Sequence, residues 1–257
     1  MNLSLDTGIG SQYKSQTQRM RVITEKWVAD NMYCPICGNP KLSVYENNRP
    51  VADFNCKGCS MDFELKSKNT CTPHSLKKFP DGAYDTMIQR ITDSSNPTFF
   101  FMTHSACRVS NLFVIPNHFF IPAIIEKRQP LSENARRAGW VGCNINIANV
   151  PESCKIYVIK DSSEIDKTYV LQKYRKVQSL RIADISDRSW LMDALECLDR
   201  IHNKDFSIKE MYSFENELQT KHPKNHFIKE KIRQQLQILR DRGFIEFTNR
   251  GYYRKTI

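Results

Sequence analysis

The chain opens on a helical pattern and then changes to apolar runs of strand length. Within residues 11–32, apolar side chains recur three and four positions apart, which predicts an amphipathic helix: Met20, Ile23, Trp27 and Val28. A second, short helix is predicted at 83–91. The runs at 99–103, 112–115 and 156–159 are apolar on both faces, which predicts central strands covered on two sides. The first two-thirds of the chain is therefore expected to be an α/β domain.

Three stretches carry too many turn formers or charges to look like core elements. Two prolines and a glycine in 69–82 predict a mobile loop. The abundance of Asn, Arg and Gly predicts a surface segment at 130–150, and the mixed charges of 167–188 predict a junction between domains. The expected domains are therefore residues 1–182 and 183–257.

Short amphipathic helices dominate the sequence from residue 189 onward. Three are predicted, the second capped by Ser207 with Glu210 three positions later and the third spanning 225–243. Two strand-like runs then lie about a turn within 244–255, which predicts a hairpin. Three helices followed by a hairpin indicate an α+β winged-helix domain.

The composition adds a strong positive charge to this picture. Among 257 residues there are 38 Lys or Arg and 28 Asp or Glu, giving a net charge of +10. Residues 221–257 alone hold ten Lys or Arg and three Asp or Glu, hence +7 of that total. A polyanionic partner is favoured, because each neutralised phosphate releases counterions; a basic protein without a nucleic-acid role is the alternative.

The sequence indicates neither a membrane-spanning segment nor a secretory signal. No apolar run approaches the roughly 20 residues that span a bilayer. The first ten residues lack both a basic start and an apolar core. The expected location is the cytoplasm.

Two CxxC pairs predict a metal site. Cys34 and Cys37 are separated from Cys56 and Cys59 by eighteen residues, a spacing typical of a four-cysteine zinc ribbon. A closed site of four thiolates leaves no open coordination position, so the zinc is expected to be structural. A redox pair and four unrelated core cysteines are the alternatives. The remaining cysteines are expected to be core or surface thiols: Cys71, Cys107, Cys143, Cys154 and Cys197.

The candidate catalytic residues flank the second CxxC pair. Two short strands are predicted around it, and Glu64 and Lys66 share one face of the second strand because they are two residues apart. An antiparallel first strand would bring Asp53 to them. Two carboxylates and a lysine suit Mg²⁺-assisted hydrolysis of phosphodiesters. Taken alone, Glu-x-Lys is also a common ion pair on surface strands.

The last predicted helix is the candidate DNA reader. Its apolar stripe is Ile228, Ile232, Leu236 and Leu239. Arg and Gln side chains on the opposite side suit the edges of guanine and adenine, and the hairpin would contact phosphate or sugar. The expected DNA contacts here are Lys229, Lys231, Arg233, Gln234, Tyr252 and Arg254. A solvated basic helix in a domain that binds protein is the alternative.

These residues resemble the DpnI-type restriction endonucleases over nearly the whole chain. Besides the CxxC pairs, the similar stretches are 47–54 (NNRPVADF), 63–68 (FELKSK), 81–84 (DGAY), 135–140 (ARRAGW) and 228–236 (IKEKIRQQL). The resemblance implies a PD-(D/E)xK nuclease core, a mixed sheet flanked by helices, in which Asp53, Glu64 and Lys66 match the catalytic positions. It also implies that the Leu65 carbonyl group is a further magnesium ligand. Pro50 stands three residues before Asp53 instead of one, a departure from the pattern.

The resemblance further implies a substrate, namely double-stranded DNA methylated at adenine in GATC. Trp140 would sense the methyl groups and Arg136 and Arg137 would hold phosphates; a core tryptophan is the alternative. A monomer with no small-molecule substrate is expected. The competing class is a zinc-ribbon and winged-helix regulator without enzymatic activity, and a third is an enzyme with another substrate.

Overall fold

The computed structural model describes residues 1–46, 52–72 and 76–256. Pro50 and its neighbours from 47 to 51, part of the family resemblance, lie outside the described residues. The α-helices are α1 Gln16–Asn31, α2 Tyr84–Thr92, α3 Lys167–Gln178, α4 Ile185–Arg200, α5 Ile208–Tyr212, α6 Glu215–Lys221 and α7 Ile228–Asp241. The strands are β1 Ser43–Val44, β2 Phe54–Asn55, β3 Asp62–Asn69, β4 Lys78–Ala83, β5 Thr98–Ser105, β6 Arg108–Ile115, β7 Ile125–Lys127, β8 Gly142–Asn146, β9 Ile156–Lys160, β10 Ser163–Glu164, β11 Asp205–Ser207, β12 Ile245–Asn249 and β13 Tyr252–Lys255. Along the described part of the chain, no helix is both long and apolar enough to cross a bilayer.

A mixed sheet of seven strands forms the centre of the fold, in the order β1-β2-β3-β5-β6-β9-β10. Strands β3 and β5 are parallel, whereas the other neighbours are antiparallel. The architecture is therefore mixed α/β, as expected from the sequence, and the three apolar runs are the central strands β5, β6 and β9.

Helices and a second sheet cover the two faces of β5, which explains why it is apolar on both sides. On one face, Tyr174 of α3 lies 3.5 Å from the Thr98 hydroxyl group, and Thr24 of α1 hydrogen-bonds Ser67 of neighbouring β3. On the other face, Phe79 packs edge-on against Phe101 with ring centroids 4.9 Å apart. Phe79 belongs to the second sheet, ordered β4-β8-β7. Both faces of the central strands are thus removed from water.

The prediction of a loop over 69–82 is wrong for 78–82, and its residues 73–75 lie outside the described part of the chain. The prediction of a surface segment over 130–150 is wrong for 142–146. Residues 78–83 form β4, which pairs antiparallel with β8. Cys143 and Ile145 of β8 are fully buried, as is Phe79 of β4. Strand β4 tolerates Pro80 and Gly82 because it lies at an edge of its three-stranded sheet. Non-local pairing outweighs the local turn signals.

The predicted junction at 167–188 is largely a helix of the α/β part. Along α3, Val170, Tyr174 and Val177 are buried against the main sheet, while Lys167 and Arg175 are exposed. Asp166 caps the helix by accepting a hydrogen bond from the Tyr169 amide. Only the short segment after α3 connects to the C-terminal helices.

Residues 185–255 combine four helices with the three-stranded sheet β11-β13-β12. The predicted capping box is confirmed, since Ser207 and Glu210 exchange hydrogen bonds at the start of α5. The predicted second helix is divided into α5 and α6, and a third strand, β11, joins the predicted hairpin. Gly243 lies two residues after the end of α7 and has a φ of +72°, a conformation that favours glycine.

Candidate functional site

The four cysteines of the two CxxC pairs meet at one point. Their sulfur atoms all lie within 4.8 Å of one another. Cys34 and Cys59 are 3.7 Å apart at Sγ, and Cys37 and Cys56 are 3.5 Å apart. A tetrahedral zinc site with Zn–S bonds of about 2.3 Å requires sulfur separations of about 3.8 Å. The donor set and its geometry therefore fit a structural Zn²⁺ ion.

The backbone of the two CxxC pairs is built for this purpose. In each pair, the residue after the second cysteine adopts a positive φ, +80° at Gly38 and +58° at Ser60. The Gly38 amide donates to the Cys34 carbonyl group, and the Ser60 amide donates to that of Cys56. Burial raises the pKa of the Cys34 and Cys59 thiols, whereas at Cys56 amides of the turn and nearby thiols outweigh burial and lower the pKa to about 7. Thiolates are the form that binds metal.

The second CxxC pair occupies the turn of the β2–β3 hairpin, as predicted. Phe54 pairs with Phe63, and the Asp53 amide donates to the Phe63 carbonyl group at 2.9 Å. This register places Asp53 beside Glu64 at the end of the ladder. The Asp53 carboxylate accepts a hydrogen bond of 2.7 Å from the Leu65 amide. Asp53, Glu64 and Leu65 are therefore brought together by the hairpin that the cysteine cluster closes.

Lys66 lies within a group of four charged side chains. Its ammonium group contacts Glu64 Oε1 at 2.5 Å and also Asp81 Oδ1. Arg90 of α2 lies 3.4 Å from Glu64 and 3.9 Å from Asp81. All four side chains are at most 15% exposed. Two cations and two carboxylates thus balance one another in a nearly buried position.

Burial and charge act in opposite directions on the ionisation of this group. Burial raises the pKa of the Glu64 carboxyl group, although Lys66 lowers it. Burial also raises the pKa of Asp53, against the opposing hydrogen bond from the Leu65 amide. The pKa of Lys66 is raised because Glu64 and Asp81 outweigh its own burial. Lys66 is therefore held as a cation.

Asp81 and Arg90 are the members of this group that were not assigned a role from the sequence. Asp81 lies in β4, where the turn formers had predicted a loop, although 81–84 was among the stretches carrying the resemblance. The Oδ2 atom of Asp81 is buried and has no hydrogen-bond partner among the described residues. For Arg90, the helical pattern of α2 predicts a polar position and nothing more. Neither residue is adjacent in sequence to the hairpin that it contacts.

A cleft of about 530 Å³ opens along β3 beside this group. Its walls come from α1, from β3 and from β4, and Lys66 and Asp81 line it. On the β2 side, the described residues pair with β3 at Phe54–Phe63 and Asn55–Asp62. Arg21 of α1 reaches to 4.0 Å from Asp53 across the cleft. Lys66 and Asp81 are thus the members of the charged group that are reached from this cleft.

Trp140 lies in a loop that leads into β8, the strand paired with β4. Its side chain is partly exposed and is not a core tryptophan. The indole packs on the bare backbone of Gly142, where an added Cβ atom would lie 2.8 Å from the ring. The Arg137 guanidinium group lies over the ring, 4.7 Å from its centroid, and Arg136 is exposed. In register, Gly142 pairs with Ala83, two residues after Asp81.

The predicted DNA contacts of α7 divide into two sets. Lys229 and Arg233 lie one turn apart on an exposed face, where Arg233 donates to the Tyr212 hydroxyl group, and Gln234 is exposed as well. Lys231 does not share that face. It lies 3.0 Å from Asp187 and over the ring of Trp190, both on α4. Residues two apart in a helix point in nearly opposite directions, so Lys231 lies on a different side of α7 from Lys229 and Arg233, and its predicted DNA contact stays a prediction.

The two predicted residues of the hairpin are exposed and share one side of β13. Tyr252 is 56% exposed. Arg254 is also exposed and pairs with Asp205 at 2.7 Å. Both side chains therefore lie at the surface, with the Arg254 guanidinium group engaged by Asp205 and lying 3.7 Å from Glu246.

A cluster of four cysteines that could hold a metal ion, a charged cleft and a basic helical domain favour a protein that acts on DNA. Comparison with known families agrees. A family model described as DpnI, Dam-replacing family, matches residues 1–183, and one described as DpnI_C, Dam-replacing HTH domain, matches residues 186–255. The chain belongs to the DpnI family of nucleases that act on DNA, and it carries a helix-turn-helix DNA-binding domain.

Proposed function

We propose that this chain is a methyl-directed type II restriction endonuclease that hydrolyses double-stranded DNA at adenine-methylated GATC sites. The observation that carries the proposal is that Asp53, Glu64 and Lys66 come together on the β2–β3 hairpin, beside a cleft that Leu65 and Lys66 line. A PD-(D/E)xK nuclease core over 1–182 and a winged-helix domain over 183–257 fit this arrangement. Such an enzyme would act as a monomer in the cytoplasm, with no small-molecule substrate.

The donor atoms around the cleft suit a Mg²⁺ ion. Mg²⁺ prefers carboxylate and carbonyl oxygens and keeps several water ligands. Asp53 and Glu64 supply the carboxylates. In a strand, the amide and carbonyl groups of one residue point to the same side, so the Leu65 carbonyl group faces the cleft together with the amide bound to Asp53. When bound, the ion would polarise the phosphate and activate water.

The protein's own residues position the phosphate and balance its charge. Lys66 is fixed between Glu64 and Asp81, so its ammonium group is preorganised where negative charge develops during phosphodiester hydrolysis. Arg90, whose side chain is only 13% exposed, contacts the same carboxylates from their buried side. The zinc cluster fixes the β2–β3 register, and with it the position of Asp53.

Both parts of the chain would read the DNA. Arg136, Arg137 and Trp140 line a surface loop next to β4, and stacking on Trp140 can bury a methyl group. One methyl group contributes only about 0.8 kcal/mol, so recognition of both methylated strands is needed for strong selectivity. In the C-terminal domain, the exposed face of α7 with Lys229, Arg233 and Gln234 would enter the major groove. Tyr252 and Arg254 would contact the backbone.

A plasmid assay tests the function. We expect Mg²⁺-dependent cutting of plasmid from a Dam-positive host and no cutting of the same plasmid from a Dam-negative host. Binding without cutting in either case would instead favour the regulator, which the helix-turn-helix match also allows. Cutting that is indifferent to methylation would favour an enzyme with another substrate.

Trp140→Ala is expected to weaken discrimination more than chemistry. Losing the contact with one methyl group corresponds to roughly a 4-fold loss of preference for methylated DNA, and with two groups to about a 15-fold loss. The measurement is the ratio of cleavage rates on methylated and unmethylated duplexes. Leu131→Ala is the matched control, because Leu131 is an exposed apolar side chain in the same loop. An unchanged ratio in Trp140→Ala would remove this residue from methyl sensing.

Asp81→Asn is expected to slow cleavage by about 10- to 100-fold while DNA binding is kept. The amide retains the volume of the carboxylate but loses the charge-assisted hydrogen bond that fixes Lys66, a loss of about 1.5–3 kcal/mol. The rate of cleavage under single-turnover conditions measures the effect. Asp85→Asn, at an exposed position in the first turn of α2, serves as the control. Equal rates in the two variants would contradict a role for Asp81.

A further inference from the structure

A polar cavity of about 330 Å³ lies between the α/β part and the first helix of the C-terminal part. Ser94, Asn96, Asn117 and His118 line it from one side. Arg188 of α4 and the segment between α3 and α4 line it from the other side. Its volume is within the range of roughly 300–1,000 Å³ that is common for small-ligand sites. None of its lining residues belongs to the candidate catalytic group.

Arg188 is buried in this cavity with most of its hydrogen-bonding capacity unused. The residue is only 5% exposed. It donates one hydrogen bond of 3.4 Å to the Phe120 carbonyl group, whereas its Nε and Nη2 atoms are buried without a partner in the part of the chain that the structure describes. Leaving a buried charge incompletely paired is costly. An anion that accepts from both nitrogens would remove that cost.

The surroundings of Arg188 add donors and positive charge. Arg181 lines the same cavity and is exposed on its outer side. Both side-chain amide atoms of Asn96 are buried and, within the described ranges, unpartnered. The carboxylate near Arg188 is Asp184, which already caps α4 by accepting from the Asp187 amide. Burial lowers the pKa of His118 to about 4, so its ring enters the cavity as a neutral group.

We infer that this cavity binds a phosphate group, held by Arg181 and Arg188 with help from the Asn96 amide. Guanidinium groups bind phosphate oxygens through paired, charge-assisted hydrogen bonds. The phosphate belongs either to a small phosphorylated molecule or to the backbone of bound DNA. Because one wall is α4 and the other is the α/β part, the occupant would join the two parts of the chain.

Calorimetric titration with inorganic phosphate tests the site in the full-length protein without DNA. At constant ionic strength, with chloride as the reference anion, we expect one saturable site in the wild type. Arg181→Gln and Arg188→Gln should each weaken it by about 10-fold or more, the effect of losing a hydrogen bond to a charged group. Arg175→Gln, an exposed arginine on nearby α3, should change it by less than about 2-fold. Arg181 is exposed, so its variant remains informative if Arg188→Gln does not fold.

The salt dependence of DNA binding distinguishes the two sources of phosphate. The affinity for a methylated duplex is measured with Ca²⁺ in place of Mg²⁺ over a range of salt concentrations. If Arg181→Gln lowers the slope of log K against log salt by about 0.9, the site holds one DNA phosphate. An unchanged slope together with saturable phosphate binding assigns the site to a small phosphorylated molecule. Indistinguishable responses to phosphate and chloride, together with an unchanged slope, would overturn the inference.

Discussion

Lys66→Ala should reduce DNA cleavage by about 10³-fold while the protein still binds methylated DNA. The ammonium group is the β3 cation that is held between Glu64 and Asp81, and removing one preorganised charge from a site of this kind costs about 10²–10³ in rate. The loss should be larger than for Asp81→Asn, because Asp81 acts on the phosphate only through Lys66. Single-turnover cleavage rates and gel-shift affinities on the same duplex measure the two effects separately.

The stability of Lys66→Ala must be measured together with its activity, because Lys66 also compensates the buried charges of Glu64 and Asp81. Without it, Glu64 and Asp81 retain only Arg90 between them, and breaking a buried pair commonly destabilises by about 3–5 kcal/mol. Thermal unfolding therefore accompanies the rate measurement. Lys26→Ala is the matched control, since Lys26 forms an exposed pair with Asp30 on α1. If a folded Lys66→Ala protein cleaves DNA at a rate within about 10-fold of the wild-type rate, the nuclease activity does not belong to this site.

The parts of the site that the sequence predicted well are those joined by short-range geometry. Two CxxC turns at a fixed spacing imply one metal, and alternation along a strand places Glu64 and Lys66 on one face whatever the rest of the fold does. Asp53 followed from a hairpin whose turn is marked by the second cysteine pair. These inferences need little knowledge of distant contacts.

Long-range pairing produced the features that were missed. Asp81 joins the group through β4, and β4 exists because β8, some sixty residues later, pairs with it. Local turn formers such as Pro80 and Gly82 carry no sign of that pairing. Lys231 shows the same limit, because its partner Asp187 lies on another helix. A charged residue in a basic helix gives no local signal of which neighbour it will meet.

The cavity beside Arg188 was missed for a different reason. The segment around it was expected to be a charged junction, and a junction gives no reason to expect a buried arginine. Arg188 is buried only because α4 packs close to the turn around His118 and Phe119. Burial of a charge at such a contact depends on how the two parts of the chain meet. Residue patterns within either part do not encode that arrangement.

Cys37→Ser should remove the metal, loosen the first domain and abolish cleavage, although Cys37 does not contact the substrate. Binding of structural zinc to finger peptides contributes about 10–16 kcal/mol, comparable to the whole stability of a domain. A loss of about 4 kcal/mol corresponds to a fall in Tm of about 8–16 °C for a protein of this size. Zinc content by mass spectrometry, Tm and cleavage rate are measured together. DNA binding through α7 should be less affected.

Cys107→Ser separates loss of the metal from loss of a thiol. Cys107 is an exposed, free cysteine in the turn between β5 and β6, so its replacement should leave zinc content, Tm and cleavage unchanged. The cluster acts on catalysis only through the β2–β3 hairpin, whose register sets the position of Asp53. If Cys37→Ser loses zinc but still cuts at the wild-type rate, the ladder between Phe54 and Phe63 must hold that register by itself. The cluster would then stabilise the fold without positioning the catalytic residues.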